Sequence, residues 1–290
     1  MSSPRIRCRE IEASDLQAAI GLLKEGFPSQ DPEYWSHAFA RLTDHRGVPG
    51  LPKYGYLLEA DDRPVGVLLV IFSQMTHGSQ TYIRANIASW YVQPHYRSHA
   101  PILTARAHAH RGVTYLQLTP ARHVVPIIEA QGYRWYAEGT FAAAAFLCPP
   151  VRGAKVRVVG DGLAPGDDLN RFESDLLLEH QRCGCISVTC TIDGRRHPFV
   201  FARRWRRTKF GPLPYALLVY CRGLDEFVQF AGPLGRFLAL RGMPLVFLDA
   251  NAPVPGVPGR FRRGTTKFYK GPHAPRLADI SYTEISLFGL

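Results

Sequence analysis

The segment Pro94-His95-Tyr96-Arg97-Ser98-His99-Ala100 brings a guanidinium, two imidazoles, a phenol and a hydroxyl into seven residues. It follows an apolar run at 87–92 and precedes a short periodic stretch, so it reads as a strand, a turn and a helix start. Amides at a helix N-terminus, with a cation beside them, hold phosphate oxygens. His95 and His99 can pair with such a phosphate or accept a proton, and loop histidines are also compatible with plain solvation. A second chemistry is proton transfer by carboxylates. Asp249 and Asn251 close the apolar run 245–249, and the carboxyl ends of buried strands are where open α/β sheets place ligands. A capping role is the alternative for Asp249. Glu284 lies in an alternating stretch, 280–287, that reads as a strand. Tyr91, Tyr96 and Tyr133 are phenols near the same region, although a tyrosine beside Trp90 or Gly132 more often packs with its hydroxyl in water.

The cysteines Cys183, Cys185 and Cys190 raise the question of a metal. A structural zinc site takes four ligands in two close pairs, and the second pair is missing. Ile186, Val188, Cys190 and Ile192 alternate with small polar residues, which puts them on one face of a strand as buried groups. No metal is expected.

The elements that must position these groups are given by local signals. Ser14 and Asp15 cap a helix that buries Leu16, Ile20, Leu23 and Phe27 and stops at Pro28. Strands at 54–59 and 65–73 flank Asp61-Asp62-Arg63-Pro64 as a hairpin, a further strand covers 116–119, and a short helix at 124–131 ends at Gly132-Tyr133-Arg134. In this order, and with Val92, Pro94, Tyr96 and Arg97 matching a Val-x-Pro-x-Tyr-Arg pattern, residues 1–148 resemble the GCN5-related N-acyltransferases.

That resemblance implies a mixed α/β fold and acetyl-CoA or another acyl-CoA as co-substrate, with an acyl carrier protein as the alternative donor. It assigns the donor to Tyr91, Val92, Arg97, Ser98, His99 and Ala100, while Asp249, Glu284 and Tyr96 are the candidate catalytic groups. The acceptor is expected to be an amine or hydroxyl of a small molecule or peptide, bound between two domains. Three departures stand out. Ala100 and Ile102 replace the small loop residues, and Pro101 has no N–H. The slots of the family's usual base and acid hold Asn86 and Ile128. A non-catalytic ligand-binding or interaction protein that has lost its coenzyme loop is therefore the alternative reading.

A boundary is expected at Cys148-Pro149-Pro150, separating residues 1–148 from 149–290. Beyond it the order of elements repeats: a helix at 168–182, a hairpin of 186–192 and 199–205 around Asp193-Gly194, a strand at 215–220, a helix at 226–241 and a strand at 245–249. We read this as a second, divergent copy of the same fold. Tandem copies also occur in the N-myristoyltransferases, where the terminal carboxylate acts as base, and that resemblance makes the carboxylate of Leu290 a further candidate.

Composition bounds the rest. The chain has 290 residues, 46% hydrophobic and 20% charged, enough for two cores. No apolar run reaches the roughly 20 residues of a membrane span, and the polar start Met-Ser-Ser-Pro lacks a signal core, so a cytoplasmic location is expected. Residues 1–150 carry 14 Lys/Arg against 12 Asp/Glu, and residues 151–290 carry 21 against 12, giving +2 and +9. The densest basic runs, 203–209 and 260–270, are expected to converge on one face and attract a phosphorylated or acidic partner. No RNA-binding motif accompanies them, so nucleic acid is not an expected partner.

Overall fold

The computed structural model describes residues 4–31, 33–160, 162–209 and 211–289. Packing divides the chain into two compact units, each with a mixed α/β architecture. The first comprises residues 1–118, 269–274 and 282–288, and the second residues 119–268, 275–281 and 289–290. The expected junction at 148/149 thus lies inside the second unit. Residues 119–148 belong with the second unit, and two C-terminal segments belong with the first.

In the first unit β1 (Ile6–Glu10) leads through a 3-10 turn into α1 (Leu16–Gly26) and α2 (Tyr34–Asp44). The cap of this helical region is a reciprocal box of Glu12 and Asp15, with Asp15 also held by Arg9, rather than Ser14. α2 is not among the expected elements, although Trp35, Ala38, Phe39 and Leu42 form a buried stripe at helical spacing. The strands β2 (Gly55–Ala60), β3 (Arg63–His77) and β4 (Gln80–Val92) come next, then α3 (Ala100–Ala107) and β5 (Val113–Gln117). The sheet order is β1-β2-β3-β4-β5, antiparallel except for β4–β5. Asp61 and Asp62 both take positive φ, 47° and 61°, which closes β2–β3 in two residues. All of β2 and residues 65–73 of β3 are buried, so both faces of the sheet are covered. α1 packs on β3 and β4, and α3 packs on β2 and β3.

The second unit holds α4 (Val125–Ala130), β6 (Arg134–Ala143), β7 (Lys155–Val158), α5 (Arg171–Arg182), β8 (Ile186–Ile192), β9 (Arg195–Thr208), β10 (Gly211–Tyr220), α6 (Leu224–Ala239), β11 (Val246–Ala250) and most of β12 (Gly259–Lys270). Its strands run in the order β12-β6-β11-β10-β9-β8-β7, with β10–β11 parallel. Asp193 and Gly194, at φ 47° and 76°, make the expected hairpin turn. The stripe Phe227, Phe230, Leu234 and Leu238 of α6 packs with Val188, Cys190, Phe199, Phe201, Leu218 and Leu248 into one core. α6 lies close to the segment 145–149 because Gly232 and Gly235 have no side chain. A Cβ at Gly235 would sit 2.7 Å from the Ala145 carbonyl oxygen.

Two expectations are corrected. Residues 280–287 are not a strand: Tyr282 takes φ 52°, and Thr283 with Ser286 caps the short helix α7 (Glu284–Leu287). The basic runs do not converge, because β6, β11 and β10 lie between β12 and β9. Four strand spacings separate them by about 19 Å. Among the described residues, no cluster of three or more His, Cys, Asp or Glu could hold a metal, and no helix is long and apolar enough to cross a membrane.

Candidate functional site

The middle of the first unit's sheet is built around an irregularity in β4. Leu68 pairs with Trp90 and Val70 pairs with Ile87, so β4 carries one extra residue between these pairs. A bulge of this kind bends the strand and re-aims the residues beyond it. The parallel ladder to β5 spans only Ile83–Asn86 against Val113–Leu116, whereas β4 runs on to Val92. Beyond Asn86 the ladder with β5 has ended.

At the far end of β4 a 3-10 turn, Pro94–His99, leads into α3. Tyr96 N–H donates to Gln93 O (2.9 Å), Ala100 N–H donates to Arg97 O, and Pro101 has no N–H. What the turn offers a ligand is therefore Arg97, Ser98 and His99. Arg97 and Ser98 are exposed, while Tyr96, His99 and Ala100 are half-buried. Tyr91 and Val92 serve the scaffold. The Tyr91 hydroxyl donates to Glu25 Oε1 (2.7 Å), and Gln93 donates to the other oxygen (3.1 Å). Those two bonds hold the Glu25 carboxyl below its ordinary range. Val92 is buried against Gly66, where a Cβ would come within 3.0 Å of its methyl.

Midway along β4, Asn86 is bonded to the C-terminal end of the chain. Asn86 is buried, its Nδ2 donates to Ile87 O (3.3 Å), and its Oδ1 accepts from the Glu284 N–H (2.9 Å). Glu284 is half-buried, with Oε2 shielded from solvent. The same face of the strands carries Ser73, Arg84 and Thr114, since Ser73 pairs with Arg84 and Arg84 with Thr114. All three are buried. His45 lies 3.2 Å from Ser73 Oγ, its ring 5.3 Å from that of Tyr282, and the His273 N–H donates to Thr114 Oγ1 (3.1 Å). Sequence reasoning did not single out Arg84, Ser73 or His45. The signal available was a charged residue two positions before Asn86 in a strand otherwise dominated by uncharged residues.

No family model matches the sequence, and no curated protein matches it. Solved structures do. A GCN5-related N-acetyltransferase from Anabaena variabilis superposes with TM-score 0.57 at 13% identity over 91% of this chain and 72% of that one. A GCN5-related N-acetyltransferase from Kribbella flavida gives 0.53 at 14% identity over 92% and 71%. A protein from Pyrococcus horikoshii gives 0.55 at 12% identity over 96% and 93%. The chain has the GCN5-related N-acetyltransferase fold.

Within that fold the remaining expected residues separate. Asn86 and Val92 are six residues apart on an extended strand, about 20 Å, so the turn that holds Tyr96 is remote from Glu284. Asp249 lies in the other unit, where its carboxylate is locked 2.7 Å from Lys267 Nζ with both side chains about 95% buried (4% and 5% exposed). Asn251 accepts from Glu138 N–H (2.8 Å) and donates to Tyr136 O (3.0 Å), which pins β6. Ile128 and Tyr133 are buried packing residues, and Leu290 lies outside the described residues.

The second unit repeats the irregularity and then closes it. β10 shifts register between Leu218 and Tyr220, and its parallel ladder to β11 covers only Ala216 and Leu217. There the chain's own segment pairs with the strand: Cys221 N–H donates to Ala278 O (3.0 Å) and Ile280 N–H to Val219 O (2.9 Å). The turn after β10 is neutralised as well. Arg222 bonds Glu173 (2.6 Å), and Glu226 accepts from His197 (2.6 Å).

Proposed function

We propose that this protein is an acyl-CoA-dependent N-acyltransferase with a single donor site, in the first unit. The observation that carries the reading is the early end of the β4–β5 ladder at Asn86, with Glu284 delivered to that point and an exposed arginine turn at the other end of the same strand. In this reading Arg97, Ser98, His99 and the start of α3 hold the donor's pyrophosphate by charge-assisted hydrogen bonds. The acyl-pantetheine arm, of CoA or of an acyl carrier protein, lies along β4 beyond the bulge, where strand amides with no ladder partner can bond the thioester carbonyl. The Glu284 carboxylate takes the proton of the acceptor ammonium. The amine nitrogen then bonds the carbonyl carbon, the carbon–sulfur bond breaks, and the thiolate leaves to be protonated. The segment that fills the second unit's equivalent gap supports one donor per chain. We further propose that residues 1–148 and 149–290 are tandem copies of one fold, distinct from the packing units, because strand, helix, three strands, helix and strand recur in order.

Calorimetry with acetyl-CoA tests the donor site. One molecule is expected per chain, and Arg97→Ala is expected to weaken it by about 1–3 kcal/mol, the scale of a lost charge-assisted hydrogen bond. Absence of binding by CoA and by acyl-CoAs of several chain lengths would sink the enzymatic reading and leave the non-catalytic one.

A further inference from the structure

The outer ends of β9, β10 and β11 carry a feature that the donor site does not use. Arg204 pairs with Tyr215 and Arg206 with Leu213, while Leu217 pairs with Phe247. Directly paired side chains share a face, and alternate residues along a strand return to it. Arg206, Leu213, Tyr215 and Phe247 therefore share one face of this sheet, opposite the face through which Phe201, Ala216, Leu218, Val246 and Leu248 enter the core. The Tyr215 and Phe247 rings lie 4.4 Å apart, tilted by 47°, and the Arg206 guanidinium sits 5.9 Å from the Phe247 ring centre. Together with Arg207, Thr208 and Leu245 these residues line a depression of about 350 Å³, although the alternation that puts Arg206 on this face turns the Arg207 side chain, paired with Pro212, toward the opposite one. Tyr215 and Phe247 are half-buried, and Arg206 and Arg207 are exposed. In the first unit two helices stand between the first and second strands, whereas here α5 alone does.

The lining dictates the ligand's chemistry. The Arg206 guanidinium and no acid face the depression, and Arg204, paired with Tyr215, lies on the same face. An anion is favoured. Its floor is two aromatic rings and two leucines, which favour a flat ring by stacking, a contact that arginine reinforces. A bare phosphate would leave the rings uncovered, and an acyl chain would leave the Arg206 charge unmatched. The volume is at the small end of the roughly 300–1,000 Å³ of small-molecule sites, enough for one nucleotide unit.

We propose that this depression is a second, non-catalytic site that binds a nucleoside phosphate, its base on Tyr215 and Phe247 and its phosphate on Arg206. It stands independently of the donor reading. The test is calorimetric titration of the full chain with AMP, adenosine and inorganic phosphate, repeated on Arg206→Gln, Phe247→Leu and Arg97→Ala. We expect saturable AMP binding, weakened roughly tenfold or more by each of the first two variants and unchanged by Arg97→Ala. Adenosine and phosphate alone should each bind at least about tenfold more weakly than AMP. Arg206 is exposed, so its variant should keep the native melting temperature, and Phe247→Leu retains an apolar floor. AMP binding that falls with Arg97→Ala and ignores the other two variants would place the nucleotide at the donor turn and overturn the proposal. Affinity that rises steadily with oligoadenylate length would overturn it in favour of an extended nucleic-acid surface, and no saturable binding at millimolar AMP would overturn it outright.

Discussion

Replacing Asp249 by alanine strands the ammonium of Lys267 in the interior. The two side chains are only 4% and 5% exposed and meet at 2.7 Å, so water cannot take over the lost partner. Removing one member of a buried ion pair costs about 3–5 kcal/mol, most of it the uncompensated charge that remains. At roughly 2 °C per kcal/mol, the lower end of the range for chains of this size, Asp249→Ala should lower Tm by about 6–10 °C. The double variant Asp249→Leu with Lys267→Met removes both charges and keeps apolar volume, and should recover most of that loss, since well-packed apolar replacements of buried pairs are often neutral. Differential scanning calorimetry on the native chain, the single variant and the double variant decides. A single variant as stable as the native chain would refute the reasoning. So would a double variant that is stable but has lost acyl transfer, because Asp249 would then act on substrate and not only on Lys267.

Glu284→Gln should reduce acyl transfer at neutral pH by about 10²–10⁴-fold with little change in acetyl-CoA affinity, the signature of a lost base; an equal loss of donor affinity would assign Glu284 to binding. His108 is pushed down from 6.5 to about 4 by burial and then by the nearby Lys270 ammonium. A histidine whose folded value is depressed leaves stability intact above the unfolded value and loses it as pH falls from 6.5 through 4, by up to about 3 kcal/mol. His108→Leu should flatten denaturant-measured stability over that window, and an unchanged slope would show that His108 is not the group responsible. Gly235→Ala should destabilise by about 1–3 kcal/mol in urea unfolding despite alanine's better helix propensity, because its methyl meets the Ala145 backbone; a stabilised variant would mean that α6 can shift away.

Signals contained within about ten residues were legible in the sequence. The positive-φ pairs Asp61-Asp62 and Asp193-Gly194 close hairpins where their residue types predict, because a two-residue turn is decided by the local backbone alone. The α6 stripe and the strand, turn and helix around Arg97 were legible for the same reason, since periodicity and Pro placement are local. α2 carries an equally local stripe. Only the tertiary structure decided which distant residues meet. Glu284 reaches Asn86 across 198 positions, and it does so because Tyr282 and Thr283 turn an alternating stretch into a capped helix. Asp249 has the residue type and strand position of a catalytic carboxylate, and it is the Lys267 side chain, brought beside it from another strand, that makes it part of the core. The parallel ladders beside β4 and β10 both end early, yet residues 275–281 pair with β10 beyond that point. Such pairings depend on loop closure and on buried surface summed over the whole unit, quantities that no short window of sequence contains.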